Sequence, residues 1–342
     1  MTNLMETVVY AGRIKDRGVL NSSSSGGAFT VLSDLYLENG DAVVASIYDY
    51  HEHTVKYQLI LNTDQRDRAK GSKYMQSKPE NVFREAYQWL VDHPDHHMLF
   101  VGTGCQADGF RKYVEMKGIR ERVCIVDIVC HGSPSSKIWK EYVQYIQNKN
   151  DGLITYLTFK DKRNGWISPT AYVKINTKEV PIEEYVRIFY NHCALRPSCY
   201  ECPYTKIERK TDLTIGDFWH IEETIPDFYD VDGNSLFLIH TTLGETLFDM
   251  VKGKLDYRLS NTTQCWQENL ARPTNRPEMR EVFWSNYYKK GINFIVKKYG
   301  TVPIKAKIKN RLFKIMGGGT QKVIAFMLET PKGGQHNELE AA

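Results

Sequence analysis

Two stretches of the chain share one local grammar. MLFVGTGCQADGF at 98–110 and VCIVDIVCHGSPSSKIWKEYVQYI at 123–146 each run from a short apolar block, through a cysteine-bearing turn, into a helical pattern. An apolar run without alternation marks a strand covered on both faces. Strands that alternate with helices in this way build an α/β layer with a largely parallel or mixed sheet. In such sheets ligands sit outside the carboxyl ends of the strands, and the two turns place Cys105 and Cys130 there. Cys124, inside its strand, reads as packing.

The preceding segments fit the same architecture. Residues 28–37 have helical apolar spacing, and DAVVASIYDY and KYQLIL read as strands. Ahead of the helix stands SSSSGG, whose Ser23, Ser24 and Ser25 supply hydroxyl donors and whose Gly26 and Gly27 allow close backbone approach. A helix start of this kind suits a phosphate or pyrophosphate, and equally a Ser-rich cap. The loop KGSKYMQS at 70–77 carries groups that can clamp a ligand, or it is an ordinary polar loop. Residues 81–93 read as an amphipathic helix.

From about residue 151 the pattern changes. LITYLTF and TAYVKIN alternate as half-buried antiparallel strands, with DKRNGW as the turn between them. The expected organisation is therefore an α/β domain over 1–150, an α+β domain over 151–284 carrying a cysteine cluster, and a basic amphipathic tail over 285–342. At 342 residues the chain is long enough for two domains.

Seven cysteines, an odd number, in a chain whose N-terminus lacks a signal-peptide pattern argue against a disulfide framework and for a cytoplasmic location. Three of them, Cys193, Cys199 and Cys202, crowd into CALRPSCYEC, followed by Pro203. A C-x-x-C pair lets two thiolates meet on one metal or cluster. A redox dithiol and plain structural cysteines are the other readings.

The formal net charge of +4 is too small to imply nucleic acid, but its distribution is uneven. Residues 289–322 hold ten Lys or Arg and no Asp or Glu, against a net of −6 elsewhere. A basic amphipathic segment of this kind meets an acidic partner or membrane surface, or lays its apolar side on the protein body.

Taken together and in order, SSSSGGAF, GSKYMQS, FVGTGCQ, DIVCHGSPS, DKRNGW and LRPSCYECPY…TDLTIGDFW resemble the beta subunits of coenzyme F-420 hydrogenase/dehydrogenase over about residues 11–240. The resemblance implies an iron–sulfur flavoprotein oxidoreductase with FAD and a 4Fe–4S cluster. Such a protein passes electrons between them and on to an acceptor, a deazaflavin in some relatives. It implies FAD contacts from Ser23–Gly27 and from Gly71, Ser72, Lys73, Tyr74, Gln76 and Ser77. Gly102, Thr103 and Gln106 would lie beside both groups. The implied cluster ligands are Cys105, Cys130, Cys199 and Cys202, with Cys193 as the substitute for Cys130.

Lys73 is the expected charge partner of the flavin, and His131 the expected proton donor or else a hydrogen-bonded turn histidine. The alternatives are a non-catalytic electron-transfer subunit, or a zinc-stabilised scaffold built on Cys193, Cys199, Cys202 and His192 or another group. Three departures from the family pattern stand out. Residues 1–20 hold no cysteine, so a ferredoxin or ferredoxin-like subunit is expected as a separate electron donor. Gly104 replaces a proline, and His220 replaces a glycine.

Overall fold

The computed structural model describes residues 4–301. Its strands are β1 (Leu4–Ile14), β2 (Ala42–Asp49), β3 (Thr54–Ile60), β4 (Ser77–Lys78), β5 (Met98–Thr103), β6 (Val123–Ile128), β7 (Ile154–Asp161), β8 (Thr170–Ile175), β9 (Lys178–Pro181), β10 (Leu213–Asp217), β11 (Ser235–Thr241) and β12 (Leu255–Ser260). Nine of them form one mixed sheet in the order β12-β1-β11-β10-β6-β5-β2-β3-β4. The centre is parallel, through β10/β6, β6/β5 and β5/β2, and antiparallel pairs extend it on either side. The expected α/β architecture with a mixed sheet is thus observed.

The apolar blocks explain why the sheet is covered on both faces. Along β5, Leu99 and Val101 face the helix Ala28–Glu38, where Val31 and Leu32 pack. Met98 and Phe100 face the helices Val82–Asp92 and Gly104–Met116, meeting Leu90, Phe110 and Val114. Cys124 is buried on the first of these faces, as packing.

The boundary expected at residue 150 does not fall between two sheets. β10, β11 and β12 lie beyond it in sequence and yet pair with β6 and β1. Conversely, the helix Ser136–Asn150 sends Ile138, Trp139 and Tyr142 into a separate core, shared with the three-stranded antiparallel sheet β7-β8-β9 and the helix Glu183–Tyr190. Local alternation identifies a strand but not its partner, so 213–260 reads as part of a second domain although it completes the first sheet.

The boundary at 284 falls inside the helix Arg280–Tyr299, which kinks at Gly291. Phe283, Tyr287, Ile295 and Val296 of this helix are buried in the second core. The described start of the tail therefore lays its apolar side on the body. The remainder of the basic stretch lies outside the described residues, and the expected acidic partner or membrane surface with it. Among the described residues no helix is long and apolar enough to cross a membrane.

His220 takes the left-handed conformation, φ 65° and ψ 17°, at the start of the short helix Ile221–Thr224, and its side chain is exposed. A non-glycine residue there costs about 1–2 kcal/mol. Glycine avoids that cost but loses about 0.5–1 kcal/mol more chain entropy on folding. His220→Gly is therefore expected to stabilise the protein by about 0.5 kcal/mol, seen as a higher denaturant midpoint at unchanged slope.

Candidate functional site

The site forms where the carboxyl ends of β5 and β6 meet the cysteine segment. Cys105 does not lie in an open turn. The helix Gly104–Met116 begins directly after β5 with Thr103 as its N-cap, so Cys105 and Gln106 occupy the first helical turn. Cys130 stands two residues past the end of β6, in the loop before the helix Ser136–Asn150. That loop is fixed to the cysteine segment by Ser135 N–H to Ala194 O (2.9 Å) and Arg196 N–H to Ser133 O (2.9 Å). Cys199 sits in a short 3-10 helix, Pro197–Glu201, that starts on a proline, and Cys202 follows it.

Two glycines let these pieces close up. A Cβ on Gly132, whose φ is +127°, would stand 2.9 Å from Leu195 Cδ1 and 3.4 Å from Cys199 Cβ. A Cβ on Gly104 would lie 2.8 Å from Tyr204 Cβ. Gly104 therefore admits the residue two after Cys202 against the helix start.

Cys105, Cys130, Cys199 and Cys202 all line one cavity of about 130 Å³. Gln76, Ser77, Thr103, Gln106 and His131 line it as well, as do the guanidinium-bearing Arg196 and Arg209. Burial pushes the Cys130 thiol up to about 12, assisted by the sulfurs of Cys105, Cys199 and Cys202. Burial also raises Cys202, again with Cys105 and Cys199 beside it. The sulfurs have hydrogen-bond partners: Ser133 N–H donates to Cys199 Sγ (3.4 Å), Thr103 Oγ1 lies 3.4 Å from Cys105 Sγ, and the backbone of Gly132 and of Tyr204 bonds to Cys130 and Cys202.

Cys193 stands apart. It is fully buried in the second core and does not line the cavity, while its carbonyl accepts from Arg280 and from Trp284 Nε1 (3.0 Å). Among the described residues no three Cys, His, Asp or Glu side chains converge closely enough for a single metal ion. The set expected for zinc is not assembled, since His192 Nε2 lies 2.6 Å from His131 Nε2 instead. His131 Nδ1 lies 3.1 Å from Asn269 Oδ1, so both ring nitrogens are engaged within the chain, and burial lowers the affinity of His131 for a proton.

The two loops expected to hold a flavin do meet, through Ser72 N–H to Ser24 Oγ (3.3 Å). Ser23 Oγ donates to Val19 O and Ser25 Oγ to Asn234 O. Gly26 is wedged between β1 and β11, where a Cβ would come 2.5 Å from Gly12 O and Ser235 N. Gly27 caps the helix Ala28–Glu38 without a side-chain bond, and Gly71 is exposed at a positive φ. Tyr74 is packed into an aromatic group, stacked on Phe189 at 4.5 Å. Gly102 does not line the cavity: a Cβ there would sit 2.4 Å from the Tyr57 hydroxyl.

Lys73 turns back on its own loop and donates to the carbonyls of Ala69, Lys70 and Gly71, away from the cavity. Burial lowers its ammonium to about 7. The cation that reaches the Ser/Gly loop is Lys162, from the turn after β7. Its Nζ donates to Leu20 O (2.6 Å), Ser25 O (3.2 Å) and Asp232 O, and burial lowers it to about 8. Nearby, Lys160 pairs with Asp217 and lies over the Trp219 ring, which stacks on Trp166 at 5.2 Å. By its own residues the stretch holding both lysines reads as a strand end and turn, and Lys162 lies within the DKRNGW motif.

Behind the cavity wall runs a buried polar chain. Arg209 pairs with Asp127 at 2.9 Å, both nearly inaccessible. Thr214 Oγ1 donates to Asp127 Oδ1 and lies 2.8 Å from His240 Nε2, and His240 Nδ1 is 3.0 Å from Thr7 Oγ1. Burial, then the charge of Arg209, brings His240 down to about 3.

The folded imidazole stays neutral where the unfolded one binds a proton below about pH 6.5. The stability this residue contributes is complete above that pH and is lost as pH falls toward the folded value. Between those limits the unfolding free energy drops by about 1.4 kcal/mol per pH unit from this residue. Urea titrations at a series of pH values check this, and His240→Gln should remove that part of the slope.

In its fold, the chain is similar to a chain of the solved F420-reducing [NiFe] hydrogenase complex from Methanosarcina barkeri, determined with xenon derivatization. The TM-score is 0.51 at 17% identity, covering 87% of this chain and 91% of that one. No curated protein matches the sequence. Residues 95–264, which include all four cavity cysteines, match the family described as the C terminus of the coenzyme F420 hydrogenase/dehydrogenase beta subunit. Residues 95–264 belong to this family.

Proposed function

We propose that the protein is an iron–sulfur flavoprotein oxidoreductase. In this reading Cys105, Cys130, Cys199 and Cys202 ligate a 4Fe–4S cluster, and FAD is held where the loops 22–27 and 71–77 meet. The observation that carries the reading is the arrival of four thiols from three separate stretches at one cavity. The donor set suits a cluster, which takes four thiolates spread over several irons, better than a single ion.

The cluster would supply one-electron transfer and the flavin the conversion between hydride and single electrons. The residues of the chain do the rest. The Ser133 N–H on Cys199 and the Thr103 hydroxyl by Cys105 stabilise added negative charge on sulfur and so raise a potential. Arg196 places positive charge on the cavity wall, where Arg209 stands with its charge balanced by Asp127. His131 and His192 share a proton between their facing nitrogens, and Asn269 fixes the His131 ring. Lys162 and the Ser hydroxyls would be the donors for a flavin phosphate, and binding it would replace their present carbonyl bonds. A ferredoxin or ferredoxin-like subunit is the proposed electron donor, and the compartment is the cytoplasm.

One observation favours a second reading, an electron-transfer subunit with the cluster and no flavin. Ser23, Ser25, Lys73 and Lys162 already direct their donors at carbonyls of the chain. Iron, sulfide and flavin content of the anaerobically purified protein decides. About four irons per chain with FAD supports the first reading, and the same iron without flavin the second. A colourless or zinc-loaded protein rejects both.

A further inference from the structure

The nine-stranded sheet ends on one side in β12, a six-residue strand with no proline. Among the described residues β12 pairs with β1 alone. Its register sets Ile14 opposite Leu255, Arg13 opposite Asp256 and Gly12 opposite Tyr257. Just beyond, Lys15 N–H donates to Lys254 O at 3.0 Å. Backbone groups in an antiparallel ladder point alternately to the two sides. With residue 254 bonded to β1, residues 256, 258 and 260 also face β1. The N–H and C=O groups of Leu255, Tyr257 and Leu259 therefore point away from the sheet, as an open edge.

An open edge of this length is a template for another strand, and its sequence selects which one. LDYRL is self-complementary when laid antiparallel on itself about its central residue. We propose that a second copy of this chain pairs with β12 about a two-fold axis through Tyr257, joining the two sheets. Tyr257 then faces its own counterpart and Leu255 faces Leu259 of the other copy, so the residues with outward backbone groups bond to one another. Asp256 falls opposite Arg258 of the other copy, in the non-hydrogen-bonded positions where side chains approach most closely. Two-fold symmetry makes that ion pair twice.

A register shifted by one residue would mismatch the backbone groups, and one shifted by two would lose the charge pairs. The side chains that pairing covers are ones the single chain leaves out: Leu259 is 64% exposed and Tyr257 44%. The opposite end of the sheet, β4, has only two residues and offers no comparable ladder.

The test is the mass of the full-length protein in solution across a concentration series, by sedimentation or light scattering. The expected result is a dimer, at twice the 39.6 kDa of one chain. Asp256→Arg and Arg258→Asp each oppose like charges across the axis and should raise the dissociation constant by at least about tenfold. The double exchange should recover the dimer. Within one chain the same exchange sets like charges beside Arg13 and Asp227, the present partners of Asp256 and Arg258, so recovery can only come from the other copy.

Leu259→Glu keeps both ion pairs, changes an exposed side chain, and should also give monomer, with circular dichroism confirming that each variant is folded. A monomer at every concentration overturns the proposal, as does a dimer that ignores the single substitutions, or a double exchange that fails to recover. If removal of 302–342 turns a monomer into a dimer, the edge belongs to the chain's own tail and the proposal is likewise wrong.

Discussion

Cys199→Ala, purified without oxygen, is expected to lose the cluster: iron falls from about four per chain to below one, and the broad visible absorption goes with it. Cys193→Ala is expected to keep both. The contrast is sharp because the two residues are close in sequence and differ in surroundings. Cys199 lines the cavity with three other thiols, and its sulfur already accepts from Ser133 N–H. Cys193 faces packed side chains and does not line the cavity. Loss of a buried sulfur at 193 should cost stability on the order of 1 kcal/mol, which unfolding detects and iron content does not. If Cys193→Ala bleaches the protein and Cys130→Ala does not, the ligand set is wrong although the cavity stands.

Asp212→Ala is expected to lower the unfolding free energy by about 3–5 kcal/mol, a large share of the roughly 5–15 kcal/mol that proteins possess. Asp212 is completely buried, and each of its carboxylate oxygens accepts from Arg120 Nη2 at 2.8 Å. These oxygens also accept from Ile125 N–H and Thr241 Oγ1, each at 2.8 Å. One carboxylate thus ties the starts of β6 and β10 to the end of β11. Removing it strands the Arg120 guanidinium, 9% exposed, without a counter-charge. The residue lies at the end of the strands away from the four cavity cysteines, so the folded fraction should retain its iron. A denaturant midpoint that barely moves would show that the buried pair does not hold the sheet.

What could be read beforehand divides along the line between local and long-range information. β5, β6 and their helices were legible because each strand is buried on both faces and each helix follows at once. The same pattern put Cys105 and Cys130 at one sheet edge. The pairing of β10, β11 and β12 with β6 and β1 was not legible, because alternation within a strand says nothing about a neighbour far along the chain. Lys73 reads as a charge in a small-residue loop, yet its amine caps that loop, while Lys162 crosses from another layer to the Ser/Gly segment. Only the fold brings a β7 turn next to that segment. Gly132 carried no special signal either, since its importance comes from Leu195 and Cys199 pressing on it.

The three-segment origin of the thiol pocket also bears on biogenesis. Cys105 and Cys130 leave the ribosome well before Cys199 and Cys202, and so does β6, which must wait for its neighbour β10. A nascent chain therefore presents two thiols with no counterpart for them to join, at the stage when it is least protected from oxidants and stray metals. On the proposed reading, loading would wait for translation through Cys202, and the inserted inorganic group would then lock distant stretches of polypeptide that were synthesised at different times.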